Sequence, residues 1–340
     1  MKRLGNLFDT VASTDNLWAA WLEFRRGKRN RPSVRAFEFD VDRELFALGR
    51  ELHGGSYRPG GYRLRLLHEP KRRLIAAAPV RDRIVHHAVH RLLAPRLDRG
   101  LVEHTYACLP GRGSHRALLA FQAAQRRHAY LLHLDVRRYF LSIDRQILHQ
   151  LMARRIKDRR LLRLLGALAG SGEGLYTSPA VRRALGLEAS FPPPGCGLPI
   201  GNLTSQWWGN HYLSDLDHFV KRELKIPHAQ RYMDDVTLFA DSRVDLEAAR
   251  TAIARWLWRE RRLRLKKPNA EVRSTRRRTL YLGHLVDRSQ IRPGRRAARS
   301  ARRRLADHLV RGRMERFERS LASYRGVLLG PVIPGHGADS

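Results

Sequence analysis

The sequence is poor in cysteine, in acidic residues and in long apolar runs. Its 340 residues include two cysteines, Cys108 and Cys196, which are too few for a disulfide framework and favour a reducing, cytoplasmic setting. The most apolar stretch, residues 161–169, contains Arg163 and is too short to span a bilayer. These shortages exclude a disulfide-rich secreted domain and predict a protein with no membrane partner.

The shortage of acid leaves a large excess of positive charge. Lysine and arginine total 66 against 32 aspartates and glutamates, so the formal net charge is +34, and eight of the 66 are lysines. Such a charge needs a polyanion to relieve self-repulsion, and nucleic acid is the default partner because guanidinium groups pair with phosphate at any pH. High-GC coding bias accounts for part of the preference for arginine, but not for the scarcity of acids. With 43% hydrophobic residues, the chain is long enough for about two folded domains.

Hydrophobic periodicity predicts a mixture of helices and strands. Pro95 should end one helix, Ser114 should cap the next, and the Gly/Pro-rich residues 171–199 should form a loop with a small hairpin. A last helix should pack an apolar stripe inward, and this stripe consists of Met314, Phe317, Leu321, Tyr324 and Leu328. The predicted helices cover residues 1–60, 80–98, 114–125, 144–170, 204–224 and 246–262, and the predicted strands cover residues 62–67, 130–134, 230–232, 236–240 and 279–286.

Three aspartates carry the prediction of chemistry. Asp234 and Asp235 lie side by side between two apolar strands, and adjacent carboxylates can serve one site only where the backbone turns. Their repulsion favours a cation between them, and hard divalent ions such as Mg²⁺ prefer carboxylate oxygens. Asp135, at the end of another apolar strand, is the candidate third carboxylate for holding two ions. Three such acids and a polyanionic substrate predict in-line displacement at phosphorus, although an isolated Asp-Asp pair is more often a solvated turn.

The motifs around these aspartates resemble those of reverse transcriptases. Tyr232-Met233-Asp234-Asp235, preceded by Arg231, is similar to the Y-x-D-D signature of that family. The other similar blocks are residues 134–144 (the first palm motif), 197–206 (the loop and helix that line the nucleotide pocket), 280–284 (the primer grip), and 71–75 with 79–87 (the fingers). Together the blocks cover residues 60–330 in the order that the family has them.

This resemblance implies a right-hand polymerase of the α+β class, with fingers, an antiparallel-sheet palm and a small helical thumb. It implies RNA-templated DNA synthesis from dNTPs, with two Mg²⁺ ions, a template RNA and a cDNA primer. The implied parts are an N-terminal helical extension (1–60), fingers (61–130), the first palm strand (131–145), a fingers insertion (146–195), the palm (196–287), and the thumb with the C-terminal tail (288–340).

The resemblance also implies roles for single residues. Asp135, Asp234 and Asp235 would be the catalytic metal ligands, with the backbone carbonyl of Val136 as an added ligand. Phe140 would be a steric gate against the ribose 2′-hydroxyl, with an ordinary core aromatic as the alternative. The implied dNTP contacts are Arg73, Arg81, Phe140, Gln206 and Lys267, and the implied template or primer contacts are Arg112, Tyr232 and Gly283. General basic surface is the alternative for the arginines, and whether Lys266, Lys267 or neither protonates pyrophosphate stays open.

Residues 200–206 (IGNLTSQ) discriminate among reverse transcriptases. They resemble the I/V/L-G-x-x-x-S-Q form typical of diversity-generating retroelement enzymes, whereas group II intron and retroviral enzymes usually have Q-G and S-P there. The likeness implies lax pairing opposite template adenine, copying of a template-repeat RNA, and help from a small basic accessory protein oligomer. The alternatives are a defence-associated or group II intron-like bacterial reverse transcriptase and, from another class, a non-catalytic RNA-binding protein with a polymerase fold.

Overall fold

The computed structural model of the protein describes residues 3–68 and 72–329. Lys71 of the predicted fingers block and residues 330–340 of the predicted tail lie outside the described residues. The described chain divides into two compact units. Unit 1 contains the residues up to Val102, Val136–Asp215 and Trp256–Lys266, and unit 2 contains Glu103–Asp135, Leu216–Arg255 and the residues from Lys267 onward. None of the described helices is both long and apolar enough to cross a membrane.

Helices and antiparallel strands together form a mixed α+β structure, in agreement with the predicted class. The helices are α1 (Phe8–Ala12), α2 (Thr14–Arg25), α3 (Pro32–Phe39), α4 (Val41–Gly54), α5 (Val80–Leu97), α6 (Ser114–Arg127), α7 (Tyr139–Ser142), α8 (Arg145–Arg155), α9 (Arg159–Gly170), α10 (Pro179–Leu185), α11 (Leu203–Tyr212), α12 (Ser214–Arg222), α13 (Arg243–Arg261), α14 (Arg295–Val310) and α15 (Met314–Leu329). The strands are β1 (Arg63–Leu67), β2 (Arg73–Ala77), β3 (Tyr130–Asp135), β4 (His228–Tyr232), β5 (Asp235–Ala240), β6 (Val272–Ser274), β7 (Thr279–Tyr281), β8 (His284–Val286) and β9 (Ile291–Pro293).

Unit 1 is mainly helical and is built around α5. This helix packs against α2 and α11, and most of its apolar side chains, among them Ile84, Val85 and Val89, are buried because neighbours cover it on several sides. Three buried indole rings, Trp21 on α2 and Trp207 and Trp208 on α11, complete this core. Large aromatic rings bury much apolar area each, so they dominate the energetics of such a core. The hairpin of β1 and β2 belongs to the same unit and pairs Leu67 with Arg73.

Unit 2 is built on a four-stranded antiparallel sheet with the order β4-β5-β3-β6. On one face, Phe121 of α6 stacks on Tyr281 with ring centroids 4.3 Å apart and meets Phe239 edge-on at 5.1 Å. A second sheet, β7-β8-β9, joins this aromatic core through Tyr281. The core covers only one end of β3 and β5, so Asp135 and Asp235 at the other end remain half-buried.

Several helix boundaries differ from the sequence expectation. Pro95 does not end its helix, because it lies two residues before the last residue of α5 and costs a hydrogen bond only in the final turn. Ser114 does not cap α6 but is its first residue, after Gly113 at φ +114°. The stretch expected to be one helix over 144–170 is two, since Asp158 caps α9 by accepting a hydrogen bond from the Leu161 amide in its first turn. Leu213 likewise separates α11 from α12.

Three further expectations are wrong. The strand expected over 279–286 is a hairpin of β7 and β8, since Leu282 and Gly283 have φ values of +45° and +81° that reverse the chain. Residues 171–199 contain the helix α10 where a small hairpin was expected. The apolar stripe does not pack inward throughout, because Met314 is 53% exposed and Leu321 is 43% exposed.

Candidate active site

The three aspartates lie at one end of the sheet in unit 2. In the antiparallel pair of β3 and β5, Asp135 is directly opposite Asp235. Opposite residues of such a pair have Cβ atoms ~5 Å apart on the same face of the sheet. Met233 and Asp234 form the two-residue turn between β4 and β5, in which Tyr232 pairs with Asp235. The register of three strands thus brings together carboxylates that are about 100 residues apart in the sequence.

The turn that carries Asp234 has an unusual backbone. Met233 has φ +61°, in the left-handed region that residues other than glycine rarely occupy. A positive φ at the first central residue is the pattern of a type II′ turn, whose twist matches that of the flanking strands. The tight reversal keeps Asp234 and Asp235 at the same end of the sheet, which two neighbours on a straight strand could not achieve.

The carboxylates of Asp135 and Asp235 share a polar patch with His133 and Thr237. The His133 Nε2 atom lies 3.5 Å from Asp235 Oδ1, and its Nδ1 atom lies 3.0 Å from Thr237 Oγ1. The side chain of Asp235 is 33% exposed, so water reaches the carboxylates. The alternate residues of the two strands point to the opposite face and are buried, and they are Leu132, Leu134, Val236 and Leu238.

The donor chemistry of this patch suits a hard divalent cation. Two carboxylates face each other across β3 and β5, and a cation would relieve their repulsion. Carboxylate oxygens are the ligands that Mg²⁺ prefers, and the ion keeps several waters or phosphate oxygens as its other ligands. Within residues 3–68 and 72–329, no three side chains of His, Cys, Asp or Glu form a closed group that could hold a metal ion by themselves. By the preference of Mg²⁺ for such mixed ligand sets, a cation at this patch would also take ligands from water or from a substrate phosphate.

The other predicted residues of unit 2 lie on turns and loops, except Tyr232, which is the last residue of β4. Tyr232 is half-buried, and burial raises the pKa of its phenol, with Cys108 as a lesser cause. Arg112 donates from Nη1 to the Thr105 carbonyl at 2.7 Å. Gly283 is in the β7–β8 turn, and its carbonyl accepts a hydrogen bond from the Gly294 amide at 2.9 Å. Lys267 is exposed.

Backbone hydrogen bonds join three elements of unit 1 that carry predicted nucleotide contacts. The Leu198 amide donates to the Phe140 carbonyl at 2.8 Å, and the Ala76 amide of β2 donates to the Ile200 carbonyl at 2.8 Å. Gly201 has φ +127°, and a Cβ atom at this position would lie 2.8 Å from the Ala76 carbonyl oxygen. The loop before α11 therefore connects β2, which carries Arg73, with α7 and α11.

The side chains on these elements differ in their surroundings. Arg73 on β2 and Gln206 in the first turn of α11 are exposed. Phe140 is half-buried and packs beside the buried side chains of Leu74 and Tyr176. Unit 1 therefore contains the half-buried ring of Phe140 and the exposed guanidinium of Arg73 on elements that are joined by backbone hydrogen bonds.

Arg81 differs from the other nucleotide-binding candidates because it is already paired. Its guanidinium forms an ion pair with Glu51 and lies over the ring of Tyr57, 5.6 Å from the centroid. A phosphate would have to compete with Glu51 for this group.

Val136 follows Asp135 in the chain, and its side chain is 2% exposed. It forms an antiparallel bridge with Leu265. Lys266 comes directly after Leu265 and is exposed.

Two residues with strong contacts near the turn were missed by the sequence analysis. Arg231 is buried and forms an ion pair with Asp217 of α12 at 2.7 Å. A charged residue inside a predicted strand is itself a signal, because such a residue is buried only when it is paired. The partner, 14 residues earlier, carries no comparable signal in the sequence.

Comparison with known proteins identifies a family. A family model described as "Reverse transcriptase (RNA-dependent DNA polymerase)" matches residues 68–286, which is 219 of the 340 residues. No curated protein sequence matches the chain. The matched range contains the three aspartates and each of the blocks from 71–75 to 280–284.

Proposed function

The chain belongs to the reverse transcriptase family and is an RNA-directed DNA polymerase, and we propose that it copies a template-repeat RNA in a diversity-generating retroelement. Its substrates are a template RNA, a primer and dNTPs. The finer proposal rests on residues 200–206, whose I-G-x-x-x-S-Q pattern is the form found in that subgroup. It includes error-prone synthesis opposite template adenine and a small basic protein oligomer as a partner.

We infer a metal-dependent nucleotidyl transfer at the aspartates. Asp135, Asp234 and Asp235 would hold Mg²⁺, with the Val136 carbonyl as an additional ligand. When bound, the metal lowers the pKa of the primer 3′-hydroxyl and neutralises charge on the triphosphate. The single observation that supports this most is the register that sets Asp135 opposite Asp235, with Asp234 in the adjoining turn.

The protein's own groups would orient the reactants. The half-buried Phe140 would contact the sugar of the incoming nucleotide, and the exposed Arg73 and Gln206 would contact its phosphates or the paired base. Tyr232, Arg112 and Gly283 would contact the template or primer, and Lys266 or Lys267 would give a proton to pyrophosphate. The β4-β5-β3-β6 sheet would be the palm, residues 61–130 the fingers, and α14 with α15 the thumb.

Primer extension on a defined RNA template tests the site. Asp135→Asn and Asp234→Asn keep the size of each side chain but remove its charge, so we expect the extension rate to fall about 1,000-fold or more, which is ~4 kcal/mol of transition-state stabilisation. The dissociation constant for template RNA should change less than about threefold, because other basic groups dominate phosphate binding. Asp241→Asn is the matched control, since Asp241 follows the far end of β5. Extension at the wild-type rate by both variants would contradict the assignment.

Sequencing the cDNA from the same reactions tests the subgroup. The template contains all four bases, and misincorporation should concentrate opposite adenine. Equal fidelity at the four bases would favour a defence-associated or intron-like reverse transcriptase and leave the assignment of the aspartates untouched.

A further inference from the structure

Arg231 is a buried cation directly before the turn that carries Asp234. Its side chain is 1% exposed, and that of its partner Asp217 is 7% exposed. The Arg231 Nε and Nη2 groups donate to the Asp217 carboxylate over 2.7–3.0 Å. Well-packed apolar residues often give equal or better stability than a buried ion pair. Stability alone therefore does not explain why Arg231 and Asp217 are buried here, and the position of the Arg231 guanidinium relative to its neighbours has to be considered.

The third contact of this guanidinium provides such an explanation. Arg231 Nη1 donates to the Met233 carbonyl oxygen at 2.9 Å. That carbonyl belongs to the peptide plane between Met233 and Asp234, so holding it fixes the direction in which the chain enters Asp234. Met233 has φ +61°, a conformation that costs free energy and persists only when surrounding contacts enforce it.

Both ends of the Arg231 side chain are fixed independently of the turn. The Arg231 amide donates to the His104 carbonyl, and the Arg231 carbonyl accepts from the Tyr106 amide, each at 2.9 Å. Thr105 Oγ1 donates to Asp217 Oδ2 at 3.0 Å. The segment around Thr105 thus holds the backbone of Arg231 and the carboxylate that orients its guanidinium.

We propose that Arg231 is a positioning residue for DNA synthesis, which uses the Asp217 carboxylate as a fixed support to hold the Met233 carbonyl and thereby the Asp234 carboxylate. The burial of Arg231 excludes direct contact with nucleic acid. The inference rests on the proposed function insofar as Asp234 acts in catalysis. The contact with the turn is a separate claim and is tested separately.

Arg231→Lys is the variant of choice, because it keeps the buried positive charge and removes the planar fork that reaches the carboxylate and the carbonyl together. The rate of single-nucleotide incorporation at saturating dNTP should fall about 10- to 100-fold. The KM for dNTP and the dissociation constant for template should stay within about threefold. Hydrogen–deuterium exchange at the amides of residues 233–236 should become faster.

The chain offers a matched control in Arg261, which is 3% exposed and also joins a carbonyl to a carboxylate. Its Nε donates to the Tyr212 carbonyl at 2.7 Å and its Nη2 to Asp215 at 2.6 Å. Arg261→Lys should lower Tm as Arg231→Lys does, but it should change the incorporation rate less than about threefold.

The outcomes separate positioning from general stability. If both lysine variants lose activity in proportion to their loss of Tm, the positioning role is wrong. If exchange at residues 233–236 is unchanged in Arg231→Lys, the hold on the turn is wrong, even if the wild-type protein extends no primer and the proposed function fails. If Arg231→Lys does not fold, Thr105→Val removes one support of Asp217 and should slow incorporation about two- to fivefold, and an unchanged rate would overturn the proposal.

Discussion

At the scale of single residues, the sequence was most informative where chemistry is local. Asp135, Asp234 and Asp235 could be proposed as one site because strand ends and adjacent acids are visible in short stretches of sequence, and their catalytic role stays a prediction. The pairing of Asp135 with Asp235 needs a register between distant strands, which the apolar pattern of each strand specifies only in part. Arg231 and Asp217 could not be paired from sequence, because a buried ion pair depends on the packing of β4 against α12.

Phe140 provides a prediction about sugar selection. Its ring is half-buried beside Leu74 and Tyr176, so one edge is available to a ligand. We expect Phe140→Ala to reduce discrimination against rNTPs about 10- to 100-fold, because a steric clash with the 2′-hydroxyl is removed. The measurement is the ratio of kcat/KM for dNTP and rNTP on one template.

Phe191→Ala is the control for this change. Phe191 packs against the same cluster and lies 5.5 Å below the Arg138 guanidinium. Its loss should lower Tm by a similar amount and leave the sugar ratio unchanged. Equal shifts in the two variants would show that Phe140 acts only through the packing of the cluster.

At the scale of elements, segments with a continuous apolar pattern were predicted well, and breaks within a predicted segment were missed. The segments β3, β5 and α13 agree with expectation within about three residues, because each has a continuous apolar pattern. The β7–β8 hairpin was read as one strand, since its turn is Leu282-Gly283 and leucine gives no turn signal at a positive φ. The three-residue strand β9 is held by pairing with β8, and its own sequence gives little indication of a strand.

His228, the first residue of β4, provides a prediction about how stability depends on pH. Burial is the main reason why the pKa of His228 falls to about 4, and His104, His128 and Arg127 add positive charge around it. Its ring lies 4.8 Å from that of His104 and 5.6 Å from that of Phe239, centroid to centroid. Because the folded-state pKa lies below the ordinary value of 6.5, the unfolded chain binds the proton first as the pH falls.

The stability contributed by neutral His228 is therefore complete above pH ~6.5 and is lost as the pH falls toward and through ~4. We expect the free energy of unfolding to drop by about 1 kcal/mol more in the wild type than in His228→Gln between pH 7 and pH 5, after allowing for screening of a half-buried ring. Chemical denaturation at the two pH values measures this difference. The exposed His115→Gln should follow the wild type, and parallel losses in all three proteins would refute the assignment to His228.

At the scale of the whole molecule, composition predicted the class of partner. A net charge of +34 indicated a polyanion, and the family match over residues 68–286 is to enzymes that act on RNA and DNA. Composition could not predict which arginines contact nucleic acid, because the 66 basic residues are spread along the whole sequence. An arginine that is already paired inside the fold, such as Arg231 with Asp217, is not available to bind phosphate.

The salt dependence of template binding distinguishes these arginines. Arg295, Arg299 and Arg302 are exposed and line one groove along α14. Each phosphate contact to a single strand contributes a slope of about −0.7 to the plot of log affinity against log salt. Replacing all three by glutamine should therefore make the slope shallower by about 2, as measured by fluorescence anisotropy with a labelled RNA.

The control is a second set of exposed arginines on α13, which are Arg243, Arg255 and Arg259. Because Arg243 and Arg259 have acidic partners, the same replacement there should change the slope by less than about 0.5. Equal effects of the two triple variants would mean that template RNA is attracted by net charge alone, and that α14 has no special part in holding it.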